Sequence, residues 1–172
     1  MTQYPQSLTP FYAGWDIFHQ HLVAAIAPLT AEQLALRSAP QNYSIGMIVT
    51  HIVGARVFWF YTWMGERSFD LSSYEIWNYQ GRVDGIDHLY SAEELVTGLE
   101  KSWQIIQNAL AYLTPADLDR VYPDPDADSN DENNSGRSLQ WIIWHALEHD
   151  IQHSGELSSI LSVNSLPTID LG

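Results

Sequence analysis

The chain has 172 residues, enough for one domain with a substantial apolar core. It carries 7 basic and 21 acidic residues, and the resulting formal net charge of −14 argues against binding to nucleic acid or to an anionic membrane surface. It contains no cysteine, so disulfides, thiolate nucleophiles and cysteine-ligated metal sites are excluded.

The remaining composition is that of a globular protein, with 45% apolar and 16% charged residues. Residues 1–10 lack the basic and apolar regions of a signal peptide, and no uninterrupted run of about 18 apolar residues predicts a spanning helix. We therefore predict a single cytoplasmic domain over residues 1–172.

Four long segments have the apolar periodicity of amphipathic helices. They run from about Leu8 to Leu29, from Ser44 to Gly65, from Ser91 to Leu113 and from Ser138 to Leu161. Between the first two, the stretch that begins at Thr30 has the capping-box pattern of a short helix. The pattern predicts an all-α protein built on four long helices.

Two long connections separate the later helices. Residues 66–90 are numerous enough to cross the length of a helix bundle, so the second and third helices are expected to run parallel. Residues 116–137 are rich in Asp, Asn, Pro and Ser and predict an exposed loop with a small hairpin. The loop has alternating Asp residues from Asp124, like a calcium-binding loop, but it lacks the glycine and the final glutamate of that motif.

The second helix is apolar on nearly every face, which predicts burial on more than one side. Such a helix is also compatible with a subunit interface, and a homodimer is expected.

Three histidines on the fourth helix, His145, His149 and His153, are each four residues apart, so they lie along one side of it. On a helical wheel, His153 falls near the apolar stripe, His149 falls at its edge, and His145 lies further towards solvent. Two imidazoles at this spacing can reach a single ion, and the wheel favours His149 and His153.

Asp150 projects along the middle of the same apolar stripe. A core carboxylate is costly unless it is paired or near a cation. We expect it to act as a general base or, more readily, to hydrogen-bond to a ligating imidazole.

A metal site needs at least a third ligand from another helix. His51, in the middle of the second helix beside Gly54 and Ala55, is the best candidate, and His19 on the first helix is a reserve. Taken alone, His51 is better explained as a packed core histidine with one hydrogen bond than as a ligand.

With its histidines at these positions, the sequence resembles the DinB-like family. The matching stretches are Trp144–Leu157, which reads W-H-x-x-x-H-x-x-x-H-x-G-E-L, then Tyr43–Ile52 on the second helix and the lead-in Leu29–Leu34. The common family ending has Arg after the last histidine and Gln after the glycine, whereas this chain has Ser154 and Glu156.

The resemblance implies a four-helix bundle in up-down-down-up order, often dimeric. It also implies one divalent metal ion, commonly zinc or nickel, bound by His51, His149 and His153. Related proteins include thiol S-transferases and hydrolases, so the resemblance implies a metal-dependent enzyme whose small-molecule substrate is a low-molecular-weight thiol or a hydrolysable compound. The alternatives are a non-catalytic metal-binding or stress-response protein and a bundle with a packed histidine cluster.

Overall fold

Helices make up most of the protein in its structure, a computed structural model that describes residues 6–66, 90–125 and 136–169. The α-helices are α1 (Ala13–Ile26), α2 (Ala31–Leu34), α3 (Ile45–Arg56), α4 (Ala92–Tyr112) and α5 (Leu139–Val163). The shorter elements are 3-10 helices at Thr9–Tyr12 and Pro115–Asp117, a π-helix at Val57–Trp63, and strands β1 (Val121–Tyr122) and β2 (Arg137–Ser138).

The predicted helix starts are confirmed at four positions. The side chains of Ser44, Ser91 and Ser138 each accept a hydrogen bond from the backbone amide three residues later, which satisfies one of the unpaired amides at the helix start. Thr30 forms the predicted capping box with Gln33.

The first helix is shorter than its apolar pattern predicts. The amide of Leu8 donates to the carbonyl oxygens of Leu110 and Leu113 at the end of α4, so this residue is tied to another helix. The following residues form a 3-10 turn in which Phe11 is 60% exposed. After the helix, Pro28 has no amide hydrogen with which to continue the ladder.

Helix α3 is the central element of the core, because it packs against both α4 and α5. Together with its π-helical extension it forms an apolar stretch, Ile45–Trp63, that is long enough to cross a membrane. However, 61% of this apolar stretch is buried inside the protein. The prediction that this helix is buried on more than one side is confirmed. The switch to π-helix after Arg56 was not predicted.

A buried ion pair joins α3 to α5. Arg56 and Asp150 have fully buried side chains, and the Arg56 Nη2 lies 2.7 Å from the Asp150 Oδ2. The Arg56 Nε also donates to both carboxylate oxygens, at 3.1 and 2.9 Å. From α1, the Trp15 indole donates to the Asp150 Oδ2 at 2.8 Å.

The same arginine reaches two further elements. Its Nη1 lies 3.3 Å from the His19 Nδ1 on α1 and 3.5 Å from the Leu99 carbonyl oxygen on α4. The guanidinium also lies 5.9 Å from the ring centre of Trp103. The cluster formed by Trp15, His19, Arg56, Trp103 and Asp150 therefore connects the four longest helices through one charged group.

Helix α5 is positioned by a small antiparallel ladder, in which Val121 pairs with Ser138 and Tyr122 with Arg137. Just beyond it, the first amides of α5 donate to the carbonyl oxygens of Arg120 and Leu118. Those amides have no partner within the helix, so the ladder and the helix start stabilise each other.

Most of the two predicted long connections falls in residues 67–89 and 126–135, outside the described residues. The calcium-like loop after Asp124 lies mainly in the second of these ranges.

Removing the carboxylate from the buried pair leaves an arginine charge uncompensated in the core, so Asp150→Ala is expected to lower the free energy of unfolding by about 3–5 kcal/mol. The double variant Arg56→Met/Asp150→Leu removes both charges and is expected to lose less than Asp150→Ala alone. Urea titration measures both. The exposed neighbour Glu148→Ala serves as the control, and equal losses for Asp150→Ala and Glu148→Ala would contradict the assigned importance of the pair.

Candidate metal centre

His51 reaches the centre from the middle of α3. The helix begins at its Ser44 cap, so His51 follows after two turns. Neighbouring residues on both sides are buried, whereas the imidazole is only partly buried. This places a ring at the edge of the core, facing α5.

His149 and His153 face His51 from α5. The ring centres of His51 lie 4.7 Å from His149 and 4.8 Å from His153, and the two α5 rings are 4.4 Å apart. One nitrogen from each ring can be chosen so that all three lie within 4.8 Å of one another. The structure thus brings together the three histidines that the sequence predicts.

Two of the ring nitrogens point directly at each other. The Nε2 atoms of His51 and His149 are 2.9 Å apart. Burial lowers the pKa of His51, and the neighbouring His153 lowers it further. Burial, followed by the effects of His153 and His51, lowers the pKa of His149 to about 3. Both rings are therefore neutral near pH 7 and have a lone pair to offer a cation.

Glu156 orients the third ring. Its carboxylate oxygen lies 2.8 Å from the His153 Nδ1, one turn earlier on α5. A carboxylate accepts but does not donate, so Nδ1 carries a hydrogen and Nε2 is the nitrogen left to bind a cation. A carboxylate behind a histidine is a usual support for a metal ligand. Sequence reasoning missed this contact, although the three-residue spacing on a helix signals it.

These features fit a divalent ion bound by imidazoles, which suits zinc or nickel among other metals. Among the described residues, no other histidine, aspartate or glutamate belongs to the group. The Nδ1 of His149 is buried, and none of the described residues forms a hydrogen bond with it.

His145 does not join the cluster. Its ring stacks on Trp141 at 4.6 Å and lies 6.2 Å from the ring centre of His149. His19 lies elsewhere, in the Arg56 cluster, where it stacks on Trp103 at 5.2 Å. Neither His145 nor His19 belongs to the group formed by His51, His149 and His153.

Asp150 points into the core as the helical wheel predicts, but its partners differ from the expected ones. Arg56 and Trp15 occupy both carboxylate oxygens, and among the described residues Asp150 has no hydrogen bond to His51, His149 or His153. The reason is that Arg56 brings a full positive charge to the carboxylate inside the core. Sequence reasoning missed Arg56, although a lone arginine on an apolar helix signals a buried anionic partner.

With the site described, comparison with known proteins identifies the family. Residues 15–157 match the model of the DinB superfamily. The chain belongs to this family. Among curated proteins, none matches the chain.

Two solved structures support the same fold for this DinB-superfamily chain. A DinB-like protein from Bacillus cereus ATCC 10987 superposes with a TM-score of 0.67 at 18% identity, over 96% of this chain and 97% of that one. A conserved protein from Enterococcus faecalis gives 0.60 at 16% identity, over 94% and 99% of the two chains. At these identities the likeness concerns the fold.

His19 should make stability depend on pH. Burial, followed by the charge of Arg56, lowers its pKa to about 3. When the pH falls below about 6.5, the unfolded chain takes up a proton that the folded chain refuses, so stability falls with pH until about pH 3. The free energy of unfolding, plotted against pH in excess chelator, should therefore have a smaller slope in His19→Gln than in the unaltered protein. Between pH 5.5 and 4 the difference in slope should be up to about 1.4 kcal/mol per pH unit. Parallel curves for the two proteins in urea titrations would refute this assignment.

If Glu156 orients His153, then Glu156→Ala should weaken divalent-metal binding by about 10–100-fold, measured by competition with a chelating dye. Glu148 provides a matched control, because its carboxylate lies 3.5 Å from the His145 Nδ1 at the same three-residue spacing. Glu148→Ala should bind metal like the unaltered protein. Equal affinities for the two variants would show that the Glu156 contact does not support a ligand.

Proposed function

We propose that His51, His149 and His153 together bind one divalent metal ion, zinc or nickel, and that the protein is a metal-dependent enzyme of the thiol S-transferase or hydrolase type. The observation that carries the proposal is the convergence of three ring nitrogens within 4.8 Å, from two helices. Sites with three protein ligands leave a position for water or substrate, as catalytic zinc sites do.

A divalent ion in this position would act as a Lewis acid, lowering the pKa of a coordinated water or thiol and polarising a carbonyl. The chain's own residues prepare the site for it. Neutral rings at His51 and His149 present lone pairs, and Glu156 holds the hydrogen of His153 on Nδ1. We give Asp150 a structural role, because Arg56 holds its carboxylate.

The family resemblance also suggests the domain organisation, helix order, cellular location and oligomeric state. We propose that the chain is one domain over residues 1–172, that its four longer helices follow the up-down-down-up order of a four-helix bundle, and that it works in the cytoplasm as a homodimer on a small-molecule substrate. The negative net charge and the mostly buried apolar helix α3 support a protein that binds neither nucleic acid nor membrane.

Elemental analysis of the purified protein tests the metal site. We expect about one divalent ion per chain, because three imidazoles can supply a complete set of protein ligands. His51→Ala should abolish stoichiometric binding, whereas His145→Ala, which removes the neighbouring ring outside the group, should retain it. Metal content that does not change in His51→Ala would contradict the proposed site.

Catalysis is tested separately on the metal-loaded protein. We expect transfer of a low-molecular-weight thiol to an electrophilic acceptor, or hydrolysis of an activated ester, with turnover that is lost in His149→Ala together with the metal. A panel of thiols and esters that yields no metal-dependent turnover would contradict the enzyme and favour a non-catalytic metal-binding protein.

A further inference from the structure

A cleft of about 570 Å³ opens beside the histidine cluster. One wall is the segment before α3, with Gln41, Asn42 and Tyr43, and the other is α5, with His153, Glu156 and Ser159. The volume is within the range of small-molecule binding sites. His153 thus belongs to both the metal centre and the cleft.

The wall formed by the segment before α3 is held in place by its own hydrogen bonds. The Arg37 Nη1 donates to the Asn42 carbonyl oxygen at 2.6 Å, and the Asn42 amide group donates to the Ser38 hydroxyl at 2.8 Å. A β-bridge between Arg37 and Ser44 closes the base of the segment. A wall ordered in this way avoids much of the entropy loss on binding.

The lining has a distinct chemical character. Within the described part of the chain, the lining combines the apolar Ile48 and Ile160 with hydroxyl and amide groups; its single charged side chain is the half-exposed Glu156 carboxylate, and it includes no lysine or arginine. A negative group placed there would lose water and meet a like charge, whereas a hydroxyl or amide would find partners. The negative net charge of −14 acts in the same direction.

We propose that this cleft binds the part of the substrate remote from the metal ion, and that it selects small polar molecules whose remote end carries amide or hydroxyl groups and no negative charge. This inference rests on the proposed metal centre, which would receive the donor atom at the other end of the substrate. It adds a selection rule, set by Gln41, Asn42, Glu156 and Ser159, to a site that the histidines alone leave unspecific.

Hydroxamates test the selection without any knowledge of the reaction, because the hydroxamate group binds divalent metals directly. Three probes are compared by calorimetry on the metal-loaded protein: acetohydroxamate, the monohydroxamate of succinate, and the matching succinamide hydroxamate. The last two have nearly the same size and differ in the charge of the remote end. We expect the amide to bind about tenfold more tightly than the acid and more tightly than acetohydroxamate.

A charge introduced into the cleft should change the order. Gln41→Lys places an ammonium group in the lining and should reduce the amide-to-acid ratio to about threefold or less. Gln104→Lys makes the same change in net charge at an exposed position of α4 outside the lining, so it should leave the ratio unaltered.

The outcomes separate the two levels of the proposal. Equal affinities for acid and amide with metal bound, or a ratio altered as much by Gln104→Lys as by Gln41→Lys, would overturn the cleft's selectivity and leave the metal centre standing. A protein that takes up no metal would overturn the metal centre, and one whose metal binds none of the three hydroxamates would overturn the open position on it. Either result would overturn this inference as well.

Discussion

The arrangement of the helices depends on the buried pair between Arg56 and Asp150. Each charge has lost its water, so each is tolerable only while the other is present. Sliding α3 along α5 by one turn, about 5.4 Å, would separate the pair. Arg56 lies five residues after His51, and Asp150 directly follows His149. The contact that satisfies the two charges therefore also sets the register in which those histidines meet.

The ion pair and the histidine cluster are neighbours with different electrostatic characters. Around Arg56, one positive and one negative charge cancel, and His19 stays neutral because burial and the arginine lower its pKa. In the cluster, the buried rings of His51 and His149 are neutral as well. Because Arg56 neutralises Asp150, no carboxylate from the core is drawn to a bound ion. The charge of such an ion would then be moderated by imidazoles and, through His153, by the Glu156 carboxylate, and a site without a directly bound carboxylate favours Lewis acidity.

Much of this arrangement could be predicted from the sequence, and the failures have physical reasons. Helix starts were predictable because capping depends on local residue types, as at Ser44. A wheel selected His149 and His153 because α5 has a clear apolar stripe, whereas the all-round apolar α3 gives His51 no preferred direction, and the family resemblance had to supply it. A wheel also gives direction without naming the partner across the core, so it exposed Asp150 but not Arg56. The change to π-helix depends on tertiary packing that no local pattern encodes.

The proposed role of the cleft and the proposed enzyme activity both require a metal ion bound by the three histidines. X-ray absorption at the metal edge of the loaded protein tests it most directly, because imidazole rings scatter in a recognisable way. We expect three imidazole nitrogens at about 2.0–2.1 Å for zinc, with a further light atom, and loss of this signal in His149→Ala, which no longer holds the metal. A spectrum with one imidazole or none, or one that does not change in His149→Ala, would contradict a metal site formed by these three histidines.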